Sequence, residues 1–205
     1  RIDDLARDQW GLRLEHRGLA AGFDQLIALG PQEIQVGILK RLRGTPIARH
    51  TMEYGMVYET EPPYTVLQTH DVSQAELERF TRLARYWDLV ANSGRFTRAL
   101  TLLMSQALPS PFGVFMNFSD WLWQTTGQTS GLTPEVLVDA LFDYLSREKG
   151  LPVEPTRQVL LADYLASGAR ARPACLREVL PAHVIPVPRH KRTLSERQDR
   201  HVQAQ

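Results

Sequence analysis

Helix-start and helix-stop signals follow one another so closely after Ser73 that little besides a helical bundle fits between them. Ser73 and Glu76 stand in a capping-box relation, and Leu77, Phe80, Ala84, Trp87 and Ala91 continue at the spacing of one helix face. Asn92-Ser93-Gly94 ends that segment. The spacing predicts a second helix over about 95–106 and a third over about 112–126, with Phe115, Phe118, Trp121 and Leu122 as its apolar stripe. Thr133 as N-cap, with Pro134 in the first turn, opens a fourth that runs to Gly150. A fifth, near 155–167, carries Val159, Leu160, Tyr164 and Leu165. Residues 73–181 therefore read as a helical domain and the fold class as mainly α.

Ahead of this domain the pattern changes. Leu19, Phe23, Leu26 and Ile27 mark a helix over about 18–29, stopped by Gly30-Pro31. Ile34, Val36 and Ile38 then alternate with Gln35, Gly37 and Leu39, a run apolar on both faces that suits a parallel strand covered on both sides. Gly37, inside that run, marks either packing relief or the close approach of another backbone or ligand. From Tyr54 to Thr69, aromatic and β-branched residues around Pro62-Pro63 read as two short strands or extended arms, because neither proline can donate a ladder hydrogen bond. The segment 49–72 is thus an extended connector. The Glu33–Lys40 segment has two readings: a strand whose sheet neighbours lie elsewhere, or one that pairs with the Val57 or Val66 segment. Residues 182–205, proline-rich and then basic, read as a flexible tail.

Composition narrows the function classes. A net charge of +1 over 205 residues sets up no long-range field for nucleic acid or anionic membrane. One cysteine, Cys175, allows neither an intramolecular disulfide nor a multi-cysteine metal site and suits a reducing, cytoplasmic compartment. No apolar stretch reaches the roughly 20 residues of a membrane span. Nucleophilic triads, HExxH, Walker loops and GxGxxG are missing, the six histidines are scattered, and the acids of the helices alternate with arginines as solvated faces do. Arg1 in place of an initiator methionine leads to the expectation that the chain is a piece of a longer protein.

Three stretches in succession, "QVGILKRLRGTPI", "YGMVYETEPPYTVLQT" and "NSGRF", resemble the C-terminal region of cobalamin-binding radical S-adenosylmethionine (SAM) proteins, where the end of the barrel meets a domain of unknown function. The resemblance covers about residues 19–170. It implies that residues 1–48 are a remnant helix-strand unit of a TIM-like barrel, although "WGLRLEHRG" departs from the strand and turn expected there. It implies a parent enzyme that uses a [4Fe-4S] cluster, SAM and cobalamin, with none of them bound by this chain, since one cysteine supplies too few thiolates for a cluster. By the same resemblance Val36, Gly37, Ile38 and Leu39 lie where family barrels pass the adenine of SAM. Lys40, Arg43 and Thr45 would lie at the barrel mouth, with Tyr54, Tyr58 and Tyr64 either lining substrate space or packing around the Pro-Pro turn.

The expectation is a C-terminal accessory portion that caps the barrel and shapes the substrate site, with the N-terminal part of the parent as its partner. The alternative is a stand-alone helical protein-interaction module that uses the aromatic face around Trp121 and Trp123. Asn92 and Arg95 read as helix-boundary chemistry and a salt link.

Overall fold

The computed structural model describes residues 16–106 and 110–180; the tail expected over 182–205 lies outside them. Among the described residues six α-helices stand in the order α1 (His16–Ala28), α2 (Gln74–Trp87), α3 (Thr97–Met104), α4 (Pro111–Thr126), α5 (Pro134–Asp143) and α6 (Val153–Ala166). Between α1 and α2 lie a 3-10 turn, Pro46–His50, and two short strands, β1 (Val57–Tyr58) and β2 (Val66–Gln68), paired antiparallel. The domain is mainly helical, as its sequence implies.

Local chemistry accounts for several helix ends. The Ser73–Glu76 capping box opens α2, with the Ser73 backbone N–H donating to Glu76 Oε2 at 3.0 Å. Pro134 follows the Thr133 cap of α5, and Gly127, with φ of 63°, closes α4 in the left-handed conformation that glycine adopts without steric cost. Two helices run on as π-helical turns, α2 into Asp88–Asn92 and α5 into Tyr144–Glu148.

Other ends are satisfied from far along the chain. Phe96, which precedes α3, has no side chain able to cap it. The buried carboxylate of Asp163 on α6 does so instead, accepting from Arg98 N–H at 3.2 Å and Ala99 N–H at 2.8 Å. Asp24 on α1 accepts from Phe112 N–H at 2.7 Å at the start of α4, and Asp139 on α5 accepts from the N–H groups of Ala174 and Cys175. Arg79 and Asp120 form a two-pronged ion pair that ties α2 to α4.

An aromatic series forms the spine of the core. Phe23 of α1 meets Trp87 edge-on at 4.8 Å and Phe112 at 5.6 Å, Trp87 meets Phe115, and Phe118 meets Tyr144 at 5.1 Å. Phe23 and Ile34 are buried in the same core as α2 to α6, so the apolar interior runs continuously from α1 into the helical domain. A barrel remnant is not shown: among the described residues no parallel strand flanks the Glu33–Lys40 segment.

That segment corrects one expectation. It is extended, but it is not a regular strand covered on both faces: Gln35, Gly37 and Leu39 are exposed, and among the described residues a single neighbour pairs with it, at its last residues. Lys40 bridges to Thr65 in antiparallel fashion, Val66 N–H donates to the Leu39 carbonyl at 2.9 Å, and Arg41 N–H donates to the Tyr64 carbonyl at 3.0 Å. Pairing with the Val66 segment, the second of the two readings, is therefore what its C-terminal end does.

Candidate functional site

The segment from Glu33 to Arg41 forms an arm held at two places. At its start the side-chain amide of Asn92 imitates a neighbouring strand: Ile34 N–H donates to Asn92 Oδ1 at 3.3 Å, and Asn92 Nδ2 donates to the Ile34 carbonyl at 3.0 Å. The π-helical turn that ends α2 carries Asn92, and such turns recur at functional positions. At the other end the arm pairs with Tyr64–Val66. Between the two anchors the amides of Gln35, Val36, Gly37 and Ile38 have no hydrogen-bond partner among the described residues.

Alternation sorts the side chains. Ile34 is buried and Val36 and Ile38 pack against the core, whereas Gln35, Gly37, Leu39 and Arg41 are exposed. The four residues assigned to SAM by resemblance are thus divided: Val36 and Ile38 face inward, and Gly37 and Leu39 face out. A Cβ on Gly37 would meet nothing within 4 Å, so nothing described here requires glycine at that position.

Lys40 and Tyr64 come together at the bridge. Thr45 is spent locally, its hydroxyl donating to the Leu42 carbonyl at 2.6 Å, and Arg43 is exposed beside Gly44, whose φ is 78°. Tyr54 lies apart, its ring 6.0 Å from that of His50 and its carbonyl accepting from His70 N–H. The His70 ring covers Gly55, where an added Cβ would come within 2.6 Å of ring atoms.

Sequence reasoning passed over Arg41. Its guanidinium lies 4.9 Å from the Tyr58 ring centroid and 5.8 Å from that of Tyr64. Tyr64 has φ of 57°, an unusual conformation for a bulky residue that costs about 1–2 kcal/mol. The available signal was parity: Arg41 continues the outward series 35, 37, 39. Neither Lys40, Arg41 nor Arg43 has a carboxylate within ion-pair distance among the described residues. No Asp or Glu occurs from Ile34 to Met52, a stretch that holds four Lys or Arg residues.

Burial, a hydrogen bond to Asp139 and the charges of Asp139 and Asp143 push the Cys175 thiol up from its ordinary range, which disfavours the thiolate. No group of three His, Cys, Asp or Glu side chains able to hold a metal ion occurs among the described residues. The single cysteine of the sequence supplies too few thiolates for an iron-sulfur cluster. Trp121 packs against Phe118 and Tyr144, and Trp123, at the surface, covers the Arg82 guanidinium at 5.0 Å. The aromatic face considered for partner binding is in this way split between core and surface. No helix among the described residues is long and apolar enough to cross a membrane.

Fold and site together define a mainly helical domain that carries an incompletely paired extended arm. The chain belongs to a family of proteins of unknown function, DUF4080, which matches residues 52–196. No curated protein and no solved structure matches the chain. Helix α1 and the Glu33–Arg41 arm precede the matched region, yet Phe23, Asp24 and Ile34 are built into its core and its hydrogen bonding.

Proposed function

We propose that this chain is the non-catalytic C-terminal accessory portion of a cobalamin-binding radical SAM enzyme, docked on the catalytic part through the arm and covering its substrate site. The observation that supports this reading is the unfinished arm: amides at 35–38 without a partner among the described residues, an outward face of Gln35, Gly37 and Leu39, and two anchors that keep it extended. An extended edge of this kind is completed by a strand from a partner, which supplies the missing ladder bonds. Exposed Leu29, Leu42, Met52 and Val57 lie in the same stretch of chain. Cluster, SAM and cobalamin belong in this reading to the catalytic part, and Lys40, Arg43, Thr45, Tyr54 and Tyr64 are its candidates for the rim of the substrate site.

The first test is the reading frame upstream of Arg1, where an in-frame CxxxCxxC is expected. The second is association. The cluster-bearing part, produced separately and reconstituted anaerobically, should bind this chain, and Gly37→Val, which crowds the outward face, should weaken binding at least tenfold while leaving the circular dichroism spectrum unchanged. The chain alone should form no 5′-deoxyadenosine. No association, or equal association by Gly37→Val, would contradict the proposal and leave the helical interaction module, with Trp123 as its exposed aromatic residue, as the better reading.

A further inference from the structure

We infer that Arg41 is the centre of a binding site for a phosphate-bearing ligand. Arg79, Arg98 and Arg157, on the helices, have carboxylate partners; Arg41 instead has two aromatic rings. Stacking of this kind orients the plane of a guanidinium while leaving its N–H groups free to donate, the arrangement that suits bidentate recognition of an oxyanion. The frame is fixed. Arg41 N–H is held by the Tyr64 carbonyl, and the Tyr58 hydroxyl is within 3.0 Å of Met56 Sδ and accepts from Thr51 Oγ1 at 3.4 Å. Tyr64 adopts its positive φ at the place where its ring and its carbonyl both meet Arg41. Backbone strain is retained where surrounding structure over-determines it, and functional sites are where it collects.

Charge selects the class of ligand. Lys40 and Arg43 flank Arg41 with no acid between Ile34 and Met52, so a dianionic phosphate group gains more from this field than a monocarboxylate does. The inference stands on these residues alone and does not depend on the partner of the arm.

The test is titration of the full chain with pyrophosphate and, separately, acetate at low ionic strength, followed by calorimetry or amide chemical shifts. Pyrophosphate should bind saturably and at least tenfold more tightly than acetate. Arg41→Gln should weaken it by roughly tenfold or more, the loss of a charge-assisted bidentate pair. Arg41→Lys, which keeps the charge and the fold but loses the planar fork, should fall between the two. Tyr64→Leu should weaken binding about threefold through looser placement of Arg41, and Arg177→Gln, an exposed arginine at the far end of the described chain, should change it less than twofold. No saturable pyrophosphate binding would overturn the inference. So would equal losses in Arg41→Gln and Arg177→Gln, which would mean that binding follows net charge, and so would equal affinity for acetate.

Discussion

The helical domain and the arm that precedes it solve the same problem in opposite ways. In the domain, several helix ends and charges find distant partners: Asp163 caps α3, Asp24 caps α4, and Arg79 is matched by Asp120. In the arm and just beyond it, four successive amides and three neighbouring cationic side chains, Lys40, Arg41 and Arg43, have no such partners among the described residues. Both regions share one core, so the difference does not arise from loose attachment. Free energy spent on satisfying polar groups stabilises a fold, and polar groups held in place but left open are available to something else.

The largest effect should come from separating the two regions. Deleting residues 1–48 removes Phe23 and Ile34 from the core and the Asp24 cap from α4, and the remaining chain should lose cooperative thermal unfolding. Phe23→Ala alone should cost about 3–5 kcal/mol in urea denaturation, the usual range for a buried aromatic residue. A truncated chain that unfolds cooperatively near the parent midpoint would show two independent units.

Next in size is the long-range cap. Asp163→Ala leaves Arg98 and Ala99 N–H groups unsatisfied at a buried site and should cost about 3 kcal/mol; Asp163→Asn, which keeps an acceptor, should cost roughly half of that. Alkaline pH gives a third handle on the domain. Burial, reinforced by the charge of Glu148, pushes Tyr144 up to about 12 from 10.0, and its hydroxyl has no partner among the described residues. A raised tyrosine pKa favours the folded state only while the phenol is neutral in both states. Stability from this group is complete below about pH 10 and is lost as pH rises towards 12, by about 2 kcal/mol. Tyr144→Phe should remove most of that slope, with Tyr86 and Tyr164, also raised chiefly by burial, accounting for what persists.

Smaller effects distinguish the arm. Asn92→Ala removes both hydrogen bonds to Ile34 and should cost about 1–2 kcal/mol. Its diagnostic sign is faster hydrogen exchange at 34 with little change in α4 or α5. Smallest of all, Gly37→Ala should change stability by less than about 0.5 kcal/mol, since the site is open.

What was legible in the sequence follows from the range of the forces involved. The Ser73–Glu76 box, Thr133-Pro134 and the Asn92-Ser93-Gly94 stop act within four residues, and the helices they delimit lie close to the expected boundaries. The connector around Pro62-Pro63 was legible as two short strands for the same reason. The Asn92 clamp, the Asp163 cap and the Asp24 cap act across 58, 64 and 88 residues, and no local pattern marks such partners. An apolar run at 34–39 suggested cover on both faces because periodicity reports what could be buried. It does not report whether a second layer is there. Arg41 escaped notice because its partners are rings brought in by the turn at Tyr64, whose backbone conformation the residue type does not announce.

The open arm is the point on which the account turns, and hydrogen exchange of the full chain at residue resolution measures it directly. The amides of Val36, Gly37 and Ile38 should exchange orders of magnitude faster than those of Ile34, Arg41 and Val66, which are hydrogen-bonded on either side of them. Protection at 36–38 equal to that of Val66 would mean that the edge is already covered, and would contradict the account.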